Sequence, residues 1–313
     1  MASRKICRIG ILVPGRLRTT ELLLGLRDRL LTLHAVSVRF TILGSGSAGN
    51  CAYLETGETR LLIDAGFSGR QIRERLASVG RSPEGLSGVV VTHEHIDHIQ
   101  GLGPLCGKLD LPVYANRFTC EAIQKQFPQT AFRFVRFETG ATFTIGDVGV
   151  RSFSIPHDAM DPVGFLLETG AGSIGFLTDL GHATRLILER VKPAHVLVLE
   201  ANHDLKLLQE DTRRPWGTKQ RILGRHGHLS NDAAADVAAS LVPGPLQRVY
   251  LGHLSRDCNR PELAHRAVSR KLTAMGACHV VVDGTYQDRP APTLVLGGGN
   301  LTVEGGVSRI SPS

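Results

Sequence analysis

After residue 37 the apolar positions follow two periods in turn, and that turnover sets out an order of strands and helices. VRFTIL (38–43) and CAYLET (51–56) are short apolar runs of the strand kind; TGET turns the chain and RLLID (60–64) returns it, which predicts an antiparallel meander. In GRQIRERLASVG (69–80), Ile72, Leu76 and Val79 recur at helical spacing and a glycine closes the segment, which predicts a helix. GVVVTH (88–93) is a continuous apolar run, as expected of a strand covered on both faces. Further strands are expected in LPVYA, TFTIGDVGVRSFSIP, VGFLLET, GSIGFLTD, HVLVLEAN, RVYLGHL and HVVVDGT, with helices near 117–127, 184–190, 203–210, 231–241 and 261–275. Strands interleaved with helices, without an internal repeat or low-complexity linker, predict one α/β domain with a sheet-rich core wrapped by helices. Folding is expected to begin near Val38, so residues 1–36 read as a basic N-terminal extension, 37–290 as the folded domain and 291–313 as a C-terminal tail.

Composition narrows this picture. A chain of 313 residues with 42% hydrophobic content can bury a large core without cross-links. The six cysteines include no C-x-x-C pair, the pattern of reduced thiols in a cytoplasmic protein. The longest apolar runs are too short to span a bilayer, so no membrane association is expected. Arg4, Lys5, Arg8, Arg16 and Arg18 precede the first acid, Glu21, superficially like a transit sequence; no uninterrupted apolar core precedes a cleavage site, which argues against a secretory signal. The reading adopted is a basic extension, or a start placed upstream of the folded unit. Oligomeric state is not specified by the residues.

GSGSAG (44–49) matches G-x-G-x-x-G after a strand, with Asp64 near the place of a ribose-binding acid. A dinucleotide site would need a helix to begin at the third glycine. Residues 51–55 are instead strand-like, so a tight glycine turn lining a site rim is expected.

The candidate chemistry lies in VVVTHEHIDHIQGLG (89–103). His93 and His95 stand two apart at the carboxyl end of a strand and point to the same side, and Asp97 and His98 come next, where the chain bends toward a helix. Imidazole and carboxylate suit zinc, manganese and iron, and strand carboxyl ends are where α/β folds place their chemistry. Four donors in one loop cannot complete two metal sites, so donors at other strand ends are expected. His157 in SIPHDA, Asp179 in GFLTDLG, His253 in VYLGHLS and Asp64 in LLIDAG occupy such positions, although a strand-end aspartate is also a common turn former.

Through Asp64, HEHIDH, His157, Asp179 and His253, in that order, the chain resembles the metallo-β-lactamase superfamily over about residues 38–286. The resemblance implies an αββα sandwich. It implies two divalent ions, with His93, His95 and His157 on one, Asp97, His98 and His253 on the other, and Asp179 between them. Asp64 would fix the orientation of ligands and water. Zinc suits the histidines and manganese is left open by the carboxylates. The segments LGSGSAGNCAYLE, PHDAMDPVGF, VLEANHD, GRHGHLSN and LGHLSRDCN are similar, more narrowly, to the WalJ (YycJ) subfamily, which implies DNA exonuclease activity running 5′ to 3′. The first 36 residues and the tail have no counterpart in that likeness.

Two ions sharing a hydroxide can clamp the attacking and departing oxygens of a phosphodiester displacement, and a net charge of +7 attracts a polyanion. The densest basic run, RRPWGTKQRILGRHGH, is expected to supply a phosphate-contacting rim through Arg221 and Arg225, and Asn259 is a further substrate contact. Asp97, Asp64 and His228 are the expected catalytic residues, with His228 binding phosphate or protonating the leaving oxygen and Ser230 as a helix cap beside it. Glu200 ends an apolar strand and needs a partner the sequence does not identify. Hydrolysis of a thioester or lactone is the alternative with the same ions; a noncatalytic binding protein is disfavoured by so complete a donor set. The span between Asp179 and His253 is too short for the large inserted domain of the superfamily's RNA-processing branch.

Overall fold

Two mixed sheets form the centre of the computed structural model, which describes residues 37–297 and 300–304; the basic extension 1–36 lies outside the described residues. The strands are β1 (Val38–Gly44), β2 (Cys51–Glu55), β3 (Arg60–Ile63), β4 (Gly88–Val90), β5 (Pro112–Asn116), β6 (Arg133–Phe137), β7 (Thr142–Ile145) and β8 (Val148–Ser154). They continue with β9 (Val163–Thr169), β10 (Gly172–Leu177), β11 (Val196–Glu200), β12 (Arg248–Gly252), β13 (Val281–Gly284), β14 (Leu294–Gly297) and β15 (Asn300–Val303). One sheet runs β15-β14-β1-β2-β3-β4-β5-β6 and the other β13-β12-β11-β10-β9-β8-β7. The expected meander is present, since β1–β2 and β2–β3 pair antiparallel, and the pairing turns parallel from β3 through β6. The second sheet repeats this arrangement, antiparallel from β7 to β10 and parallel from β10 to β13.

Helices α1 (Gly69–Ser78), α2 (Ile96–Ile99), α3 (Leu102–Leu109) and α4 (Arg117–Gln126) follow strands of the first sheet. Helices α5 (Arg185–Val191), α6 (Leu205–Glu210), α7 (Trp216–Leu223), α8 (Asn231–Ser240) and α9 (Pro261–Ala274) follow strands of the second. The continuous apolar runs are explained by two-sided burial. In β11, Val196 and Val198 enter the core between the sheets, while Leu197 and Leu199 enter the core beneath α5, α8 and α9. In and just after β4, Val90 faces between the sheets and Val89 and Val91 pack with Ile72, Leu76 and Leu102 under α1 and α3. Three apolar cores thus fill three interlayer spaces, and the architecture is the αββα sandwich.

TFTIGDVGVRSFSIP is not one strand: Gly146, at φ +55°, turns the chain between β7 and β8, which pair as a hairpin. RFVRF forms β6, and LGPLCGKL forms α3 despite two glycines and a proline, held by buried Leu102, Leu105 and Cys106. The boundary expected at residue 291 falls later. β14 pairs antiparallel with β1, setting Val38 opposite Leu296 and Phe40 opposite Leu294, and β15 adds outside it. Ala291, Leu294 and Leu296 belong to the core between the sheets, so the segment expected to be a tail shields the edge of β1. GSGSAG is a turn with no helix at Gly49, since β2 begins at Cys51. A Cβ at Gly49 would come within 2.7 Å of the Gly66 carbonyl oxygen, so this glycine serves loop packing.

Leu294→Ala is expected to cost about 2–5 kcal/mol, as for a fully buried leucine, read as a lowered urea midpoint with an unchanged slope. A loss no larger than a surface substitution's would show that β14 does not belong to the folded unit.

Candidate metal centre

Among the described residues, four non-glycine residues have positive φ, and three of them stand at strand ends of the site: Asp64 (59°), Asp179 (56°) and His253 (52°). The fourth, Asp110, caps α3. The left-handed conformation costs an L-residue roughly 1–2 kcal/mol. Here it turns each side chain off the strand line into the cleft where the two sheets' carboxyl ends meet. His93 follows β4, Asp97 and His98 lie on α2, and His157 follows β8.

The structure brings all seven expected donors together. Nitrogens of His93, His95 and His157 lie within 4.8 Å of one another, as do donor atoms of Asp97, His98 and His253. Asp179 stands between the groups: Oδ1 is 3.6 Å from His157 Nε2 and 3.3 Å from His253 Nε2, and Oδ2 is 3.0 Å from His98 Nε2. His253 Nε2 is 3.2 Å from Asp97 Oδ2.

A surrounding layer of acceptors sets which ring nitrogen faces inward. His98 Nδ1 donates to Asp64 Oδ2 at 2.7 Å, His253 Nδ1 to Glu200 Oε1 at 2.8 Å, and His157 Nδ1 to the Gly227 carbonyl at 3.2 Å. With Nδ1 so engaged, each presents Nε2 toward the cluster as the nitrogen a metal would take, the arrangement metal-binding histidines show. Thr92 Oγ1 lies 3.0 Å from His93 Nδ1, and Asp64 accepts from both the Thr92 amide and its hydroxyl. His95 is the exception, presenting Nδ1 at 3.3 Å from His157 Nε2.

Whether these residues fit a pair of divalent cations is tested by what the protein leaves unsatisfied. His93 Nε2 is fully buried and has no hydrogen-bond partner, as does Asp179 Oδ2 despite its closeness to His98. Buried polar atoms are otherwise almost always paired, so two orphans aimed into one donor cluster fit cations. The charges agree. Burial, then the neighbouring imidazoles of His98, His157 and His95, hold His93 well below the usual imidazole range, so it is a neutral ligand. Burial disfavours the ionised form of Asp179, yet His253 and His98 hold it well below the usual carboxylate range.

Glu200, whose partners the sequence did not identify, joins the layer. Its Oε1 accepts from His228 Nδ1 at 2.7 Å as well as from His253, and its Oε2 accepts from the Leu180 and Leu229 amides. Burial opposes its charge, but the imidazoles of His228 and His253 bring its pKa down to about 2. His228 faces the cleft, 3.7 Å from Asp179 Oδ1; burial works against its protonation, and the Glu200 carboxylate outweighs burial and raises its pKa. Ser230 is also the cap of α8, accepting from the Ala233 amide, so the two expectations for GHLSN coexist. Asn50 and Asn202 were not anticipated: Asn50 Nδ2 is 3.1 Å from His98 Nε2, and Asn202 Nδ2 donates to the His253 carbonyl. Only a strand-end position marks them in sequence.

The expected substrate contacts fall differently. Arg221 lines the metal cleft, a cavity of about 210 Å³, but its guanidinium is paired with Asp158. Arg213 and Arg214 are paired with Asp211 and Asp257, and Lys219 donates to the Gln209 carbonyl. Arg225 meets His182 at 3.4 Å. The basic run therefore mostly ties its own segment down. Asn259 is buried with its amide spent on the Ala201 carbonyl, Asn231 and the Arg260 amide, so no hydrogen-bonding capacity remains for a substrate.

Comparison with known proteins identifies the family. Residues 59–254 match the model described as the Beta-lactamase superfamily domain. The chain is 38% identical over 243 residues to Exodeoxyribonuclease YycJ of Bacillus anthracis, covering 77% of this chain and 91% of that protein. It is 38% identical over 244 residues to Exodeoxyribonuclease WalJ of Streptococcus pneumoniae serotype 2 (strain D39 / NCTC 7466), covering 77% and 90%. The metallo-β-lactamase fold protein YhfI from Bacillus subtilis superposes with a TM-score of 0.63 at 18% identity, over 82% of this chain and 99% of that one, a likeness of fold. The chain thus belongs to the metallo-β-lactamase superfamily of metal-dependent hydrolases, in the family that includes YycJ and WalJ.

Proposed function

We propose that the protein is an exodeoxyribonuclease that uses two divalent cations, zinc foremost with manganese as the alternative, and degrades DNA 5′ to 3′. The observation that carries the reading is the pair of donor clusters with Asp179 within 3.0–3.6 Å of a histidine nitrogen of each, and His228 beside them. The names of its relatives YycJ and WalJ support DNA as substrate, and the 5′ to 3′ direction rests on that likeness alone. Unpaired cysteines, among the described residues, support a cytoplasmic setting.

Bound cations supply the positive charge that activates water near neutral pH and neutralises a phosphate. The chain's own part is placement. Asp64 and Glu200 hold the rings of His98 and His253, so the donors meet their ions without rearrangement. Asp97, on α2 with its carboxylate at the cleft, is placed to hold a cation and to accept a proton from the attacking water. His228 has Nδ1 engaged by Glu200, which leaves Nε2 to meet the leaving oxygen and give it a proton.

Protein loaded with defined metal is expected to shorten end-labelled duplex DNA faster than it cleaves RNA or a generic thioester or lactone, and to stop on chelation. His93→Ala should abolish the reaction while circular dichroism shows the fold kept. Faster turnover of the acyl substrate than of any nucleic acid would overturn the reading in favour of carbonyl chemistry. Glu200→Gln is expected to lower metal affinity or kcat about 10- to 100-fold, followed by metal titration and turnover together. His228→Ala should lose on the order of 10²-fold in kcat on DNA and recover much of it on a p-nitrophenyl phosphodiester, whose leaving group needs no proton. An equal loss on both esters would exclude His228 as the acid.

A further inference from the structure

The metal cleft does not end at its ligands. Ser47 and Ser255 line both the cleft and a neighbouring groove of about 560 Å³. Pro261 and Tyr286 line that groove and a third depression of about 560 Å³ along α9, which holds Arg266 and Arg270. Shared lining residues set these three spaces side by side in a row that leads away from the metal centre.

The walls of this path differ from those of the basic run. Tyr286 is 38% exposed, and the Arg289 guanidinium carbon lies 3.8 Å from its ring centroid, so a partly exposed aromatic ring is paired with a planar cation. Arg256, Arg266, Arg270 and Arg289 are exposed and take part in no ion pair among the described residues, whereas Arg213, Arg214 and Arg221 are each tied to a carboxylate. Arg266 and Arg270, four apart, share one face of α9. Asp288 offsets Arg256 on the middle groove, whereas Arg266 and Arg270 outnumber Glu262 along the α9 depression, so the positive charge of the path lies at its α9 end.

The platform is also fixed to the metal centre. The Ser45 amide donates to the Tyr286 carbonyl at 3.0 Å, and Ser45 Oγ accepts from the amide of His253 at 2.8 Å. Gln287 spans the glycine turn, accepting from the Ala48 amide at 2.9 Å and donating to the Gly49 carbonyl at 3.0 Å.

We propose that this path is a binding site for the polynucleotide strand on the far side of the scissile bond: Tyr286 stacks on a base, and Arg256, Arg266 and Arg270 meet successive phosphates. Exposed aromatic platforms interleaved with unpaired cations are the chemistry of sequence-tolerant strand binding. The proposal rests on the nuclease reading and adds the substrate's course across the surface.

Metal-loaded Tyr286→Ala and Arg266→Glu/Arg270→Glu proteins are assayed on single-stranded oligonucleotides of increasing length and on the p-nitrophenyl ester of thymidine 5′-monophosphate, a substrate sized for the metal cleft. Tyr286→Ala is expected to raise KM on long strands roughly 5- to 100-fold, the effect of one lost base stack, with Tyr286→Phe restoring it. The rise should be far smaller on the nucleotide ester and should set in only above a minimum strand length. The double arginine variant should flatten the dependence of log KM on log salt by about one per arginine removed. Equal losses on strand and ester, or unchanged KM and salt slope, overturn the path. Should the unaltered protein degrade DNA while the variants match it, the nuclease reading stands and the path alone falls; should it cleave the ester but no polynucleotide, both fall.

Discussion

The site depends on burying imidazoles and carboxylates together without leaving any charge alone. Removing an unpaired ion from water costs several kcal/mol even after the protein relaxes, and neighbouring imidazoles cannot all be protonated in one small volume. The structure meets this by alternating the groups. Asp179 sits among His98, His157 and His253, Asp64 lies behind His98, and Glu200 lies between His228 and His253. Asp64 orients His98 within the first sheet and Glu200 orients His228 and His253 within the second, whereas Asp179 with His98 and Asp97 with His253 join the two, so the cluster closes only when both sheets are in place. That is why the left-handed backbone at Asp64, Asp179 and His253 is tolerated: the strands on either side over-determine it.

How much could be read from the sequence depends on how local each signal is. HEHIDH is readable because four donors fall in one loop after an apolar strand, and β4 is readable because its residues alternate between two cores without a polar break. His157, Asp179 and His253 are readable as donors after strands, although only family likeness says they converge. Glu200 shows the limit. A buried acid at the end of VLVLE demands a partner, but His228 and His253 are 28 and 53 residues away and nothing between them encodes the meeting. Asn259 shows the opposite error, since an asparagine in a family word reads as a substrate contact until Asn231 is seen to consume its amide. Strand β14 escaped notice because a short apolar run after a proline-rich stretch looks like a tail, and only its register on β1 gives it a role.

Charge is the property least readable from the chain. The densest cluster of basic residues, 213–225, has Arg213, Arg214 and Arg221 engaged by Asp211, Asp257 and Asp158, while Arg266 and Arg270, separated by a helical turn, have no ion-pair partner among the described residues. Net charge acts on an arriving polyanion over roughly a Debye length, about 8–10 Å near physiological salt, and does not distinguish the two groups there. At contact they differ. A guanidinium held by a carboxylate must give up that partner before taking a phosphate, whereas an unpaired one on a helix face loses only water. Local pairing, more than the density of basic residues along the sequence, decides which surface a nucleic acid meets once it has arrived.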